Sequence, residues 1–169
     1  MAKAGVQVRY YRFQNRLKEK AGGAGARGDG GISPDILEQA QQALEKMAED
    51  YPDWVSKLIT RLYGQHRRCV DTPEQRRGYY HAINEIAHDM RGQGGTFGYD
   101  LISIFADSLY DFTLRSSGMT DDHVEIIKSH IDSMNAVIKE RVKGDGGEVG
   151  AAISEGLKRA IAKFEPKEG

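Results

Sequence analysis

The sequence has a single cysteine, Cys69, only four prolines, and no uninterrupted apolar run of the about 18 residues that a spanning helix needs. One cysteine excludes an intrachain disulfide and any zinc or iron–sulfur site that requires several thiolates. The N-terminal residues also lack the apolar stretch of about 7 to 15 residues found in secretory signals. We therefore expect a cytoplasmic protein.

The sequence has little net charge, −1 from 24 basic and 25 acidic residues, so no global basic field predicts nucleic acid as a partner. The charge is unevenly distributed, however. Residues 1–28 contain seven Lys or Arg and one Glu, a balance of +6, which leaves −7 for the remainder. This basic arm can lie on the acidic body of its own chain, or it can bind an anionic membrane surface or a partner protein. Its short length favours the first interpretation.

The 20 glycines mark the boundaries in the chain. A glycine-rich run over residues 21–31 is typical of a flexible linker, and a second break lies at residues 143–150. These runs divide the sequence into three parts. The parts are a basic N-terminal arm with its linker at 1–31, a helical body at 32–143 and a C-terminal tail at 144–169.

The apolar residues of the body recur with helical spacing, and no segment alternates with a period of two. We expect Pro52 to end one helix and to separate it from the next. Helices are predicted at about 33–49, 53–69, 75–96, after Gly98 and at 120–142. The arm and the tail show the same pattern more weakly. Long amphipathic helices with short connections predict an all-α, antiparallel up-and-down bundle with additional N- and C-terminal helices.

His88 lies on the wrong side of its predicted helix to be a core residue. At 100° per residue it points about 200° away from Ile86 and Met90, which belong to the apolar stripe, so it should be exposed. Seven residues share its face: Arg77, His81, Asn84, Glu85, Arg91, Gly92 and Gly95. Bare glycine backbone lets another macromolecule approach, and a guanidinium can hold an anion there. The alternative is a surface histidine beside a frayed, glycine-rich helix end.

The residues from His88 to Gly98, in one-letter code HDMRGQGGTFG, resemble the signature of histidine-containing phosphotransfer domains. In that family the phospho-accepting histidine is followed by an aliphatic residue, a base, and small residues at fixed spacing. The matching positions here are Met90, Arg91, Gly92, Gly94, Gly95 and Gly98. The end of the string is similar to the phosphotransfer domain of chemotaxis histidine kinases. The local match covers residues 88–99, and the helical layout extends it to 53–142.

The resemblance implies a four-helix bundle with His88 exposed near the middle of its second helix. His88 would exchange a phosphoryl group with an aspartate of a response-regulator receiver domain, and a hybrid histidine kinase is a further candidate partner. The receiver would supply Mg²⁺, so this chain would be a carrier without a cofactor of its own rather than an enzyme. Arg91 would lie near the phosphoryl oxygens. The expected docking surface is Arg77, His81, Asn84, Gly92 and Gly95, with Gly98 structural.

The sequence departs from the chemotaxis kinases at one position. Their phosphotransfer domains use a glutamate on the next helix to orient the histidine, and the register places Tyr110 there, near Asp107 and Asp111. This disfavours direct phosphorylation by a chemotaxis-type kinase domain. The run at 21–31 also lacks the ending of a P-loop, so we expect no ATP binding. A second hypothesis is a helical module that binds a receiver or kinase without relaying phosphate.

The remaining histidines and Cys69 are assigned structural roles, and we expect Cys69 to be a buried or half-buried residue at a helix end. We expect His123 and His130 at the boundary of the apolar stripe of their helix. His66 should be a cation at a helix C-terminus. No group of these residues has the spacing of a metal site, so none is expected.

Overall fold

A computed structural model of the chain describes residues 33–115 and 119–164. The predicted basic arm and its linker, residues 1–31, lie outside the described residues. The chain divides into two units, Met1–Glu45 and Lys46–Gly169.

The described residues are helical and contain no β-strand, which confirms the predicted all-α class. Five α-helices follow in chain order: α1 (Pro34–Asp71), α2 (Arg76–Arg91), α3 (Asp100–Arg115), α4 (Asp121–Lys139) and α5 (Gly147–Phe164). Short 3₁₀ turns at Pro73–Gln75 and Gly95–Phe97 precede α2 and α3. Helix α5 is the additional C-terminal helix that the tail predicts. None of the helices in these residues is long and apolar enough to cross a membrane.

The predicted helix break at Pro52 is wrong, because α1 continues through this residue. A proline inside a helix costs about 3 kcal/mol, since it removes one N–H donor and crowds the preceding turn. The residues on either side of Pro52 explain why the helix persists. Tyr51 and Val55 are both buried in the core of the second unit, so their packing holds this stretch in helical geometry.

The N-terminal turns of α1 that belong to the first unit expose their apolar residues. Ile36 is 58% exposed, and Leu37 and Leu44 are each 54% exposed. The apolar spacing here predicts a helix correctly, but these side chains are not part of a core.

The core lies in the second unit. Within it, α2 packs on α3, α3 on α4 and α4 on α5, while α5 also contacts α3. The apolar stripes of α3 and α4, which follow the helical spacing of the sequence, are buried in full. Their residues are Ile102, Phe105, Leu109 and Phe112 on α3, and Val124, Ile127, Ile131, Met134 and Ile138 on α4. On α2, Tyr80 is buried and Tyr79 is half-buried against the core.

Two glycines fix the connection between α2 and α3. Gly98 has φ 75°, a left-handed conformation that side chains with a Cβ rarely adopt. Gly94 is buried, and a Cβ there would clash with the backbone oxygen of Tyr99 and lie 2.6 Å from Ser103 Oγ. The turn therefore closes tightly only with glycine at these positions. It joins the two helices that carry the candidate site.

Candidate functional site

His88 is exposed on α2, as the helical register predicts. The adjoining residues Ala87 and Met90 are fully buried, so the helix is anchored on the opposite side. The His88 ring lies 5.5 Å, centroid to centroid, from the ring of Tyr110 on α3, at an interplanar angle of 46°. Tyr110 therefore lies next to His88 and presents an aromatic ring to it.

Arg91 is the last residue of α2, and its side chain contacts residues of α3. Its Cζ is 4.1 Å from the centroid of the Tyr110 ring, a cation–π geometry. Its Nη1 is 3.4 Å from Asp107 Oδ1, and its side chain is 33% exposed. Tyr110 thus contacts both the histidine and the arginine of the motif. The arginine is already partnered by a carboxylate and a ring.

Asn84 of α2 forms hydrogen bonds with two residues of α3. Its Nδ2 donates to the backbone oxygen of Tyr110 at 2.8 Å and to Thr113 Oγ1 at 2.9 Å. The sequence places Asn84 on the docking face, and the structure adds that its amide is occupied by the neighbouring helix. The first of these bonds ties the backbone of Tyr110 to α2.

An open cleft of about 410 Å³ adjoins the histidine. Its lining residues are Arg61, Asn84, Glu85, Ile86, His88, Asp89 and Tyr110. Arg61 comes from α1, and the sequence analysis does not identify it. No local pattern could have done so, because its proximity to His88 depends on how α1 packs in the second unit.

The other predicted docking residues are not among the residues that line this cleft. Arg77 and His81 are exposed, and His81 Nδ1 is 3.6 Å from Glu85 Oε1. Gly92 is exposed, and a Cβ there would have no neighbour within 4 Å. Gly95 is exposed too, while its N–H donates to Ser103 Oγ at 3.3 Å, so it also helps to hold the turn.

The two aspartates near Tyr110 are directed to arginines. Asp107 pairs with Arg91, and Asp111 Oδ2 lies 3.2 Å from Arg115 Nη2. Throughout residues 33–115 and 119–164, no side chain forms a hydrogen bond with the His88 ring. The ring contacts Tyr110, and the residue is exposed.

Two histidines differ from their expected roles because they are buried. His130 is fully buried: Nδ1 lies 2.8 Å from the Ile126 oxygen, and Nε2 lies 3.0 Å from Ser108 Oγ. Burial lowers the pKa of His130 to about 4, so the ring is neutral, donates from Nδ1 and accepts at Nε2. Burial likewise lowers the pKa of His66, which is not the helix-end cation that the sequence predicts.

Arg76 is a structural cation that the sequence analysis does not single out. Its guanidinium is buried and donates to the backbone oxygens of Cys69 and Met119 at 2.8 and 2.6 Å. It also pairs with Asp121 at 2.5 Å. Arg76 therefore ties the end of α1 and the start of α4 to α2. Cys69 is buried at this junction, and burial raises the pKa of its thiol to about 11, which suits a packing role.

The part of the chain that the structure describes contains no group of three His, Cys, Asp or Glu residues placed to hold a metal ion. The cluster of His88, Tyr110 and Arg91 is thus an exposed imidazole with an aromatic support and a nearby cation. Such an arrangement can offer a nucleophilic nitrogen to a partner that brings its own reactive group. Comparison of the whole chain with protein-family models, with curated proteins and with solved structures found no match.

Proposed function

We propose that this chain is a histidine phosphotransfer protein in two-component signalling, in which His88 carries the phosphoryl group. The observation that supports this most strongly is the exposed His88 ring, packed beside Tyr110 and open to the cleft, within a sequence string that resembles the family signature. The open space at Gly92, one turn further along α2, adds to this support.

The proposed transfer uses few groups of this chain. A ring nitrogen of neutral His88 attacks phosphorus in the aspartyl phosphate of a receiver domain. The bond from phosphorus to the aspartate oxygen breaks, a bond from phosphorus to nitrogen forms, and the aspartate leaves as a carboxylate. The other ring nitrogen keeps its proton, so no general base is needed. Phosphoryl transfer depends mainly on position and on charge neutralisation, and the receiver supplies the Mg²⁺.

The arrangement we propose for this chain is an antiparallel up-and-down four-helix bundle formed by the C-terminal part of α1 with α2, α3 and α4. The contacts of α2 with α3 and of α3 with α4 support it. Receiver docking would use the face around Gly92 and the cleft at His88, with Arg77 and His81 at its edge. The chain would then act in the cytoplasm as a carrier rather than an enzyme.

A second candidate is a helical module that binds a receiver or a kinase and regulates by occupancy. The observation that favours it is the absence of a hydrogen bond to the His88 ring among the described residues, where the chemotaxis kinases would have a glutamate. The two functions share a docking surface and differ in whether phosphate moves.

Incubation with phosphorylated receiver domains from the same genome tests the proposal. We expect at least one receiver to lose its label to the wild-type chain, and the label to be acid-labile and base-stable. His88→Gln should fold normally, within the about ±0.5 kcal/mol usual for a surface change, and should accept nothing. Label on His88→Gln at the wild-type level would refute the role of His88. Binding without any transfer would favour the second candidate.

A further inference from the structure

We infer that Arg61 of α1, rather than Arg91 of the motif, is the cation that binds the phosphoryl oxygens at His88, an inference that rests on the proposed function. Arg61 and His88 line the same cleft. Arg61 comes from a different helix and is outside the string that resembles the family signature.

The Arg61 side chain has no competing partner. It is exposed, and none of the residues in the described ranges forms an ion pair, hydrogen bond or ring contact with its guanidinium. The fork of donors that a guanidinium presents matches the geometry of phosphate oxygens. A free arginine on the wall of a cleft that also exposes the nucleophile can turn toward an incoming anion without breaking an existing interaction.

Arg91, in contrast, is already engaged. Asp107 holds its Nη1 at 3.4 Å, its Cζ lies 4.1 Å from the centre of the Tyr110 ring, and Arg91 does not line the cleft. To bind a phosphoryl group on His88 it would have to leave both partners. Its contacts are those of a residue that holds α2 and the Tyr110 ring together.

The charges of the cleft favour a cation beside the phosphoryl group. Two carboxylates, Glu85 and Asp89, line it together with His88, and Arg61 is the cation among the lining residues. Phosphohistidine adds negative charge next to these carboxylates. Arg61 is therefore the lining side chain that can offset their repulsion while the phosphoryl group arrives and while it resides on the ring.

Phosphoramidate tests this role without a receiver. The unprotonated ring nitrogen of His88 attacks its phosphorus, the phosphorus–nitrogen bond of the donor breaks, and ammonia leaves. We would follow the addition of one phosphoryl group by intact mass, with His88→Gln identifying the site. Arg61→Ala should slow labelling about fivefold, in line with loss of one partly solvated charge interaction, and Arg61→Lys should recover most of the rate.

The matched control is Arg68→Ala, which removes an exposed arginine of the same helix that does not line the cleft. It should label at the wild-type rate, and Arg91→Ala should slow labelling less than Arg61→Ala does. Wild-type labelling of Arg61→Ala, or an equal loss in Arg68→Ala, would overturn the inference even if receivers transfer to His88. Conversely, a specific Arg61 effect without transfer from any receiver would support the anion site and refute the proposed function.

Discussion

The burial of the His130 ring makes the stability of the fold depend on pH. His130 is enclosed between Ile126 and Ser108, and burial lowers its pKa to about 4. The unfolded chain binds the proton near pH 6.5, whereas the folded chain does not. Stability is therefore complete above pH 6.5 and falls as the pH drops toward 4, because protonation favours the unfolded state.

This shift predicts a loss of about 3 kcal/mol between pH 6.5 and pH 4 from His130 alone. Urea unfolding at several pH values would measure it. His66 contributes in the same direction, so the informative quantity is the difference between wild type and His130→Gln. The variant should be less stable at pH 7 but should lose less stability on acidification. Equal slopes for both proteins would show that His130 is not the titrating group.

Helical register predicts the environment of some residues better than others. His88 lies opposite the apolar stripe of α2, so its exposure follows from the 100° turn per residue alone. His130 lies at the edge of the stripe of α4, where register leaves either outcome open. Its burial depends on what α3 places against it, namely Ser108 and Phe112. Only the family resemblance predicts that Tyr110 lies beside His88.

At the scale of the elements, two glycines of the connection after α2 have different roles. Gly92 faces open space, whereas Gly94 lies against the backbone of Tyr99 and Ser103. Gly92→Ala should stabilise the protein by up to about 1 kcal/mol, because alanine is the better helix former. Gly94→Ala should destabilise it by about 1–3 kcal/mol, because the backbone must move. Thermal unfolding of the two variants compares them directly, and equal effects would contradict these contacts.

A substitution at Gly92 separates receiver docking from the phosphorylation reaction at His88. Gly92→Gln should fold, react with phosphoramidate at His88 as wild type does, and lose most of its transfer from a receiver, since the new side chain projects from the surface beside the histidine. The assay is the rate of transfer from the receiver that labels the wild-type chain. Undiminished transfer would mean that the receiver does not approach this part of α2.

Helix α1 shows where sequence patterns do not determine the fold. Its apolar spacing predicts helix on both sides of Pro52 correctly, but the strong local preference of proline suggests a break there. The buried residues Tyr51 and Val55 outweigh that preference. Ile36 and Leu44 belong to an apolar stripe and are nevertheless exposed. An apolar stripe shows that a helix face can be buried, and the packing of the chain decides whether it is.

At the scale of the whole molecule, the described core belongs to the second unit. Every buried residue that the structure describes follows Glu45, beginning with Tyr51. A chain of residues 46–169 should therefore fold, with an unfolding midpoint within about 3 °C of the full chain. It should also accept phosphate at His88 at the full-chain rate. Failure to fold, measured by circular dichroism and thermal unfolding, would show that residues 1–45 contribute to the core.

The all-α class and the C-terminal helix follow from the apolar period, because helices of this length have a strong and repeated signal. The packing partners do not follow from it. Arg76 ties α2 to Asp121 and to the Met119 backbone across more than 40 positions, and nothing in the local sequence indicates those partners. For the same reason, the sequence does not indicate that Arg61 lies at the cleft.

The central claim is that a receiver places its phosphoryl group on His88, and locating that group tests it most directly. After incubation with a phosphorylated receiver, the chain would be digested at alkaline pH and its phosphopeptides sequenced by mass spectrometry. The account predicts one phosphoryl group, on His88, gained as the receiver loses its own. Phosphate on His81 or on another residue, or a receiver that keeps its label while bound, would contradict the account.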